Sequence, residues 1–409
     1  MSTLGRYSET LHQWGLSNIP FRATPPEDMN KLARIFYGRE KELAVALPTL
    51  YEGRNVLVRG IWGVGKTTFI RYLLYRLKEE SAKLGQRLLI LYIGRFPGED
   101  SEALFQVLLL SLAKVLTEEV TKAKQVWETL SGLRITHRHQ AHVEGKVNLH
   151  LFTLGGSWGR EREERQQFQN VYPVLLDLLD EAQRRYKRVI IAIDDLDKKT
   201  PRAVQEILDD ATDILRRGEG RRSFLFTGRY ISTMQDISNL MLGLFSETIT
   251  LSRMNTDELR HIAINYLNTA RERPSKKVTP FTTEVITQIA EYAYHIPRQF
   301  NLICERVMRR GAMEGVVRID ETTFPYLWHK VREEFALELT PEIRRLLYAA
   351  RRQGGLRADM DDATLEELGI ETFVELVPLL KSLEGHLLIK DEDGRWMPSN
   401  LLPDGEYEM

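Results

Sequence analysis

Cysteine is nearly missing: the 409 residues hold one, Cys304. A lone thiol excludes an internal disulfide framework and any cysteine-rich zinc module, and it fits a reducing compartment. No stretch approaches the roughly 18 uncharged apolar residues of a membrane-spanning helix, and Met1 to Thr10 lacks the basic-then-apolar order of a secretory signal. An excess of either charge is lacking too. The 57 Lys and Arg stand against 58 Asp and Glu, a net charge of −1, so no global field favours nucleic acid. There is no internal repeat and no low-complexity tract. What remains is an ordinary globular composition, long enough for two or three domains, with a cytoplasmic location and no membrane contact expected.

Against these absences stands Gly60-Ile-Trp-Gly-Val-Gly-Lys-Thr67, which fits G-x-x-x-x-G-K-[ST]. A strand-like run, Asn55 to Arg59, precedes it and a helical run, Thr68 to Leu77, follows. The pattern calls for a nucleoside triphosphate with magnesium. Gly60, Gly63, Val64 and Gly65 let backbone N–H groups turn inward around a β-phosphate, and the helix opening at Lys66, Thr67 and Thr68 adds its partial positive charge. Lys66 reaches the β and γ oxygens, and the Thr67 hydroxyl ligates Mg²⁺.

The organisation expected around this loop is an α/β, three-layer core with a parallel sheet, then an α-helical lid and a C-terminal winged-helix-like domain. Residues 1–30 read as an arm that packs on the next domain through Trp14, Leu16 and Phe21. The core spans 31–253, with continuous apolar runs at Leu88 to Ile93 and Val189 to Ile193 that suit buried parallel strands. Phe224 to Phe226 and Thr248 to Leu251 supply two more strands. Residues 133–156 show alternation around Glu144-Gly145, which predicts an inserted hairpin. The lid covers 254–335, opening on the capping signal Thr256-Asp257-Glu258. The last domain, 336–409, runs helix after helix into a hairpin around Asp393-Gly394.

Asp194 ends an apolar strand, which puts its carboxylate at the sheet edge beside the phosphate loop, where Mg²⁺ needs an anion. Asp195 follows at a position suited to orienting the attacking water, and its short side chain predicts slow hydrolysis. An Asp pair that caps the helix at 200–216 is compatible with both roles. Thr227-Gly228-Arg229 ends the next strand on the same edge, where a hydroxyl and a guanidinium read a γ-phosphate. Arg298 begins a lid helix, where the helix dipole disfavours a merely exposed cation.

Together with Phe36-Tyr-Gly-Arg-Glu-Lys-Glu-Leu43, these segments resemble P-loop ATPases of the AAA+ and STAND group over roughly residues 10–335. The upstream motif is similar to that of STAND and origin-recognition initiator ATPases, which implies that Arg39 lies beside the adenine. Trp14-Gly-Leu, Pro20-Phe21 and Pro297 to Cys304 resemble ExeA-type proteins and transposition regulators. Trp62 and Ile193 to Asp197 resemble the KAP branch. The resemblance implies Lys66 and Thr67 as Walker A, Asp194 and Asp195 as Walker B, Thr227 and Arg229 as the first sensor region, and Arg298 as the second. It implies ATP and Mg²⁺ as cofactors, with Thr67 and Asp194 at the metal. Tyr230 to Leu251 holds no arginine where ring-forming relatives carry a finger, which favours a switch with Arg229 acting within its own chain.

In the inserted segment, His137, His139 and His150 fall on one face if Glu144-Gly145 is the turn. They suit a metal, or contact with a partner or nucleic acid alongside Arg134, Arg138, Lys146 and Arg160, or a plain solvated hairpin. Leu337 to Met409 carries eight Lys and Arg against sixteen Asp and Glu, so this module suits a protein partner better than DNA. The local cations Arg344, Arg345, Arg351, Arg352 and Arg357 keep DNA open. A partner protein at the lid or C-terminal domain, and a nucleotide-dependent oligomer, are therefore the expected associations.

Overall fold

Five short segments, each with too few residues for a helix of usual length and three of them largely apolar, set the sheet. In the computed structural model they are β1 (Val56–Gly60), β2 (Leu88–Ile93), β3 (Arg188–Ile193), β4 (Arg222–Thr227) and β5 (Glu247–Leu251). The structure describes residues 2–94, 100–136, 171–196, 201–216, 220–228, 243–357, 365, 368, 370, 373–384, 387–390 and 395–403. The strands are parallel in the order β2-β3-β4-β1-β5. Every residue of β3 after Arg188 is buried, as a parallel strand covered on both faces requires, whereas β5 at the edge buries only Ile249 and Leu251.

The chain divides into two compact units. The sheet unit holds residues 39–60 and 66–251. Its helices are α3 (Glu40–Tyr51), α4 (Lys66–Lys83), α5 (Ser101–Leu116), α6 (Thr121–Thr136), α7 (Val171–Arg185) and α8 (Pro201–Arg216). Leu57, Leu91, Ile191 and Phe224 from the strands share one core with Leu108, Leu112, Leu175, Leu179, Ile207 and Leu208 from these helices. The predicted hairpin meets a correction at its start: Arg134 to Thr136 continue α6. The rest of that segment, with its histidines, lies outside the described residues.

The helical unit holds residues 1–38, 61–65 and 252–409. It includes α1 (Thr3–Gln13), α2 (Met29–Ile35), α9 (Thr256–Ala270), α10 (Thr283–Tyr292), α11 (Pro297–Glu314), α12 (Phe324–Leu337), α13 (Pro341–Arg352) and α14 (Phe373–Leu383). The antiparallel pair β6 (Leu388–Lys390) and β7 (Trp396–Pro398) follows. The first residues form a helix with a buried continuation, not an arm on the segment that comes next. Trp14, Leu16 and Phe21 enter one core with α9 to α12 and with Leu376, Leu380 and Trp396. The Trp14 indole donates to the carbonyls of Val316 and Val317 at 3.0 and 2.9 Å, and Phe21 stacks on Tyr266. Cys304 is fully buried here, and burial pushes its thiol well above the usual range, so it stays protonated and inert.

The helix start read at residues 256–258 is an N-cap one residue earlier. Asn255 accepts from the Glu258 N–H while the Glu258 carboxylate accepts from the Asn255 N–H. This reciprocal capping box satisfies two orphan donors of α9.

Candidate functional site

Strand order builds the sheet side of the site. β4 lies between β1 and β3, and Phe226 pairs with Ile193, so the next residues along, Thr227 and Asp194, stand level at the C-terminal edge. The Thr227 hydroxyl donates to Asp194 Oδ1. The Asp195 N–H is shared between Asp194 Oδ1 at 2.9 Å and Thr227 Oγ1 at 3.1 Å. Asp195 adopts φ 60°, a left-handed conformation that costs a non-glycine residue of order 1 kcal/mol. The three residues singled out on this edge are thus brought together, with Asp194 and Thr227 buried and Asp195 half-buried. Arg229 lies outside the described residues.

A fourth member escapes sequence reasoning. Tyr92 in β2 donates its hydroxyl to Asp194 Oδ2 at 2.9 Å. Burial, then the Asp194 carboxylate, pushes the Tyr92 phenol far above its ordinary value, so the tyrosine remains a donor at any working pH. Room for its ring depends on Gly94, where a Cβ would stand 2.9 Å from the ring edge. The only trace in the sequence is one hydroxyl near the end of an otherwise aliphatic strand. Arg71, buried in α4, adds a positive charge that Tyr92 feels.

Gly60 ends β1 and Lys66 opens α4. The Lys66 Nζ donates to the Gly60 carbonyl at 3.0 Å, and Lys66 is 8% exposed. Thr67 and Thr68 occupy the first turn of α4 and are half-buried. Arg39 precedes α3 at φ 69°, buried, with its guanidinium 3.3 Å from Glu42.

The middle of the loop, residues 61–65, groups with the helical unit. Gly63 at φ 81° accepts from the Arg298 N–H at 3.3 Å, and a Cβ there would meet Ile296 at 3.0 Å and Arg298 at 3.1 Å. Glycine is therefore demanded twice at this position, by conformation and by the approach of α11. The Arg298 guanidinium lies 5.7 Å from the Trp62 ring centre. Trp62 also shares a small cavity with Ile296, Gln299, Ile389 and Lys390, so both α11 and the hairpin strand β6 reach this loop segment. Val64 is buried at 1% exposure, whereas Gly65 at φ 105° has open space where a side chain would project.

These residues fit a nucleotide and its metal. The open position over Gly65 leaves the space a phosphate needs, and Lys66 brings an enclosed cation to the loop. Asp194 presents a carboxylate already oriented by three donors. Among the described residues no cluster of three or more His, Cys, Asp or Glu offers an all-protein metal site. None of the described helices is long and apolar enough to cross a membrane.

Residues 42–216 match the KAP family P-loop domain. A search of curated proteins finds no match. Among solved structures, the chain is similar to the ORC2 protein of Aeropyrum pernix in ADPNP and ADP complexes. That likeness has a TM-score of 0.50 at 14% identity, over 95% of this chain and 96% of that one. Also similar are a single-residue variant of RuvB from Thermotoga maritima (TM-score 0.48, 14% identity, 92% and 96% covered) and Aeropyrum pernix ORC1 in complex with DNA (0.48, 14%, 95% and 92%).

Proposed function

We propose, from the match of residues 42–216 to a P-loop NTPase domain and from the AAA+-like fold, that the chain is an ATP-binding, slowly hydrolysing molecular switch. In this reading nucleotide state is coupled to partner-protein signalling or assembly through the helical lid and the acidic, winged-helix-like C-terminal segment, in the cytoplasm. The observation that carries it is the grip of the helical unit on the loop. Gly63 and Trp62 are held by Arg298 at the start of α11, and β6 lines the same small cavity. A phosphate held by the backbone N–H groups of the loop bears on the same backbone that Arg298 grips at the Gly63 carbonyl, so any shift there reaches α11 and β6.

The chemistry follows the residues. The loop N–H groups and Lys66 take the phosphates, Arg39 lies by the base, and Thr67 with Asp194 would hold magnesium. That ion, when bound, neutralises and polarises the phosphate oxygens. Asp195 orients the attacking water, Thr227 and Tyr92 fix Asp194, and Arg229 acts within the same chain on the γ-phosphate. Slow turnover is supported by the short Asp195 side chain and by a backbone N–H tied to two neighbours, which restricts how far that carboxylate can adjust.

The test is Arg298→Ala. Both ATP affinity and turnover are expected to change by about tenfold or more, as for loss of a cation serving phosphates; if neither moves, the coupling reading is lost. Sizing the Asp195→Asn protein with ATP, with and without duplex DNA, sets this against the second reading. Assembly that needs DNA would replace the switch with a DNA-associated ATPase resembling replication initiators or transposition regulators.

A further inference from the structure

The helical unit contains a cleft of about 940 Å³ that the nucleotide chemistry does not use. It lies between α9, the loop 271–281, the start of α10 and Arg318. Its charged lining is one-sided: Arg260, Lys276, Lys277 and Arg318 face a single carboxylate, Glu284. Asp257 pairs with Arg260 at 2.9 Å, and Arg318 also feels Asp320 and Glu321, so the balance is positive but not extreme. Between the cations lie hydroxyls and amides, among them Asn265, Ser275, Thr279 and Thr283.

The loop that carries the two lysines is held in shape by an arginine. Arg271 donates to Asn268 Oδ1 at 3.1 Å, to the Ser275 carbonyl at 3.4 Å and to the Thr279 carbonyl at 2.8 Å. Asn268 Oδ1 also accepts from the Ser275 N–H, and Ser275 Oγ from the Lys277 N–H. Like charges are thus kept together by a preorganised turn, an arrangement that repels itself unless an anion enters.

The lining also says what kind of anion. Phe281 is 3% exposed, and the His261 ring is stacked on Tyr37 at 4.4 Å with 3° between planes. Phe281 is thus buried and Tyr37 covers one face of His261, so the cleft offers no run of open rings for successive bases. The lysines stand exposed at an open mouth. Interleaved ammonium, guanidinium, hydroxyl and amide donors are the contact set of a sugar-phosphate chain bound through its backbone. We propose that this cleft is a nucleic-acid site, taking the phosphodiester backbone of a strand without reading its bases. This goes beyond the switch reading and stands whether or not turnover is slow.

The experiment uses the full chain and a fluorescein-labelled 20-nucleotide strand of mixed sequence, with anisotropy measured across a salt series. Lys276→Ala/Lys277→Ala is expected to bind about tenfold more weakly and to lower the slope of log K against log salt by about 1.4, two cations at roughly 0.7 each. Its ATP turnover without nucleic acid should match the parent, which separates failure of this proposal from failure of the switch reading. Glu284→Gln should bind more tightly, which keeps the test independent of any one variant's folding. The proposal is overturned if the parent does not bind the strand, or if the double variant binds as the parent does. It is overturned equally if Lys122→Ala in the sheet unit weakens binding as much, or if polyglutamate competes as well as unlabelled strand of equal charge.

Discussion

Asp194 is 1% exposed, and a carboxylate so enclosed is tolerated because Tyr92, Thr227 and the Asp195 N–H all donate to it. All of this but the tyrosine was legible in the sequence. Asp194, Asp195 and Thr227 each end or follow an apolar run, and in a parallel sheet run ends share one edge. Tyr92 was not, because an aromatic residue inside an apolar strand reads as a strand former, and only the β2–β3 register brings its hydroxyl to the carboxylate. Buried tyrosines also leave a mark on pH dependence. Burial pushes Tyr266 up to about 12. A folded-state value above the unfolded one near 10 means its stabilisation is complete below pH 10 and is lost as pH rises toward 12. Between pH 9 and 11 that loss amounts to roughly 1.4 kcal/mol. Urea denaturation of Tyr266→Phe at the two pH values should show a decline smaller than the parent's by about this amount.

Elements are joined by polar residues that no periodicity reveals. Asn55, just before β1, donates to the carbonyls of Leu215 and Leu244 at 3.3 and 2.9 Å and accepts from the Phe224 N–H at 2.9 Å. One buried amide therefore ties the end of α8, the approach to β5 and the body of β4 to the strand that carries the phosphate loop. Asn55→Ala would strand three backbone groups, and a stability loss of about 2–4 kcal/mol is expected in chemical denaturation. Gly53 is as constrained: at φ 85°, a Cβ would fall 2.6 Å from the Gly220 backbone. The strands themselves follow from run length, and the start of α9 from its capping signal, since those signals are local. The end of α6 misleads because alternating residues past 133 look like a strand until helix continuation overrides them.

At the scale of the molecule, the sequence suggests successive domains, whereas the compact units interleave: residues 1–38, 61–65 and 252–409 form one, the rest the other. Apolar residues in a short amphipathic segment show that it packs, not on what, so the partner of Trp14 was beyond local reading. Its burial at 4% exposure with two carbonyl acceptors makes it a principal anchor of the helical unit. Trp14→Ala should cost about 3–5 kcal/mol. Hydrogen exchange is the suitable measurement, with faster exchange expected in α9 to α12 and unchanged exchange in β1, β3 and β4. Uniform loss across both units would show that they do not unfold separately.

That interleaving has a consequence for how the protein is made. A ribosome delivers Trp14, Leu16 and Phe21 well before the helices that cover them, which begin more than 230 residues later. The sheet unit, contained within residues 39–251, has all its strands in hand while those early side chains still wait in solvent. Closing the helical unit then means bridging a very long loop, a slow and non-local step. For the length of that wait the nascent chain displays an apolar segment of its own, the kind of surface that makes incomplete chains prone to aggregate.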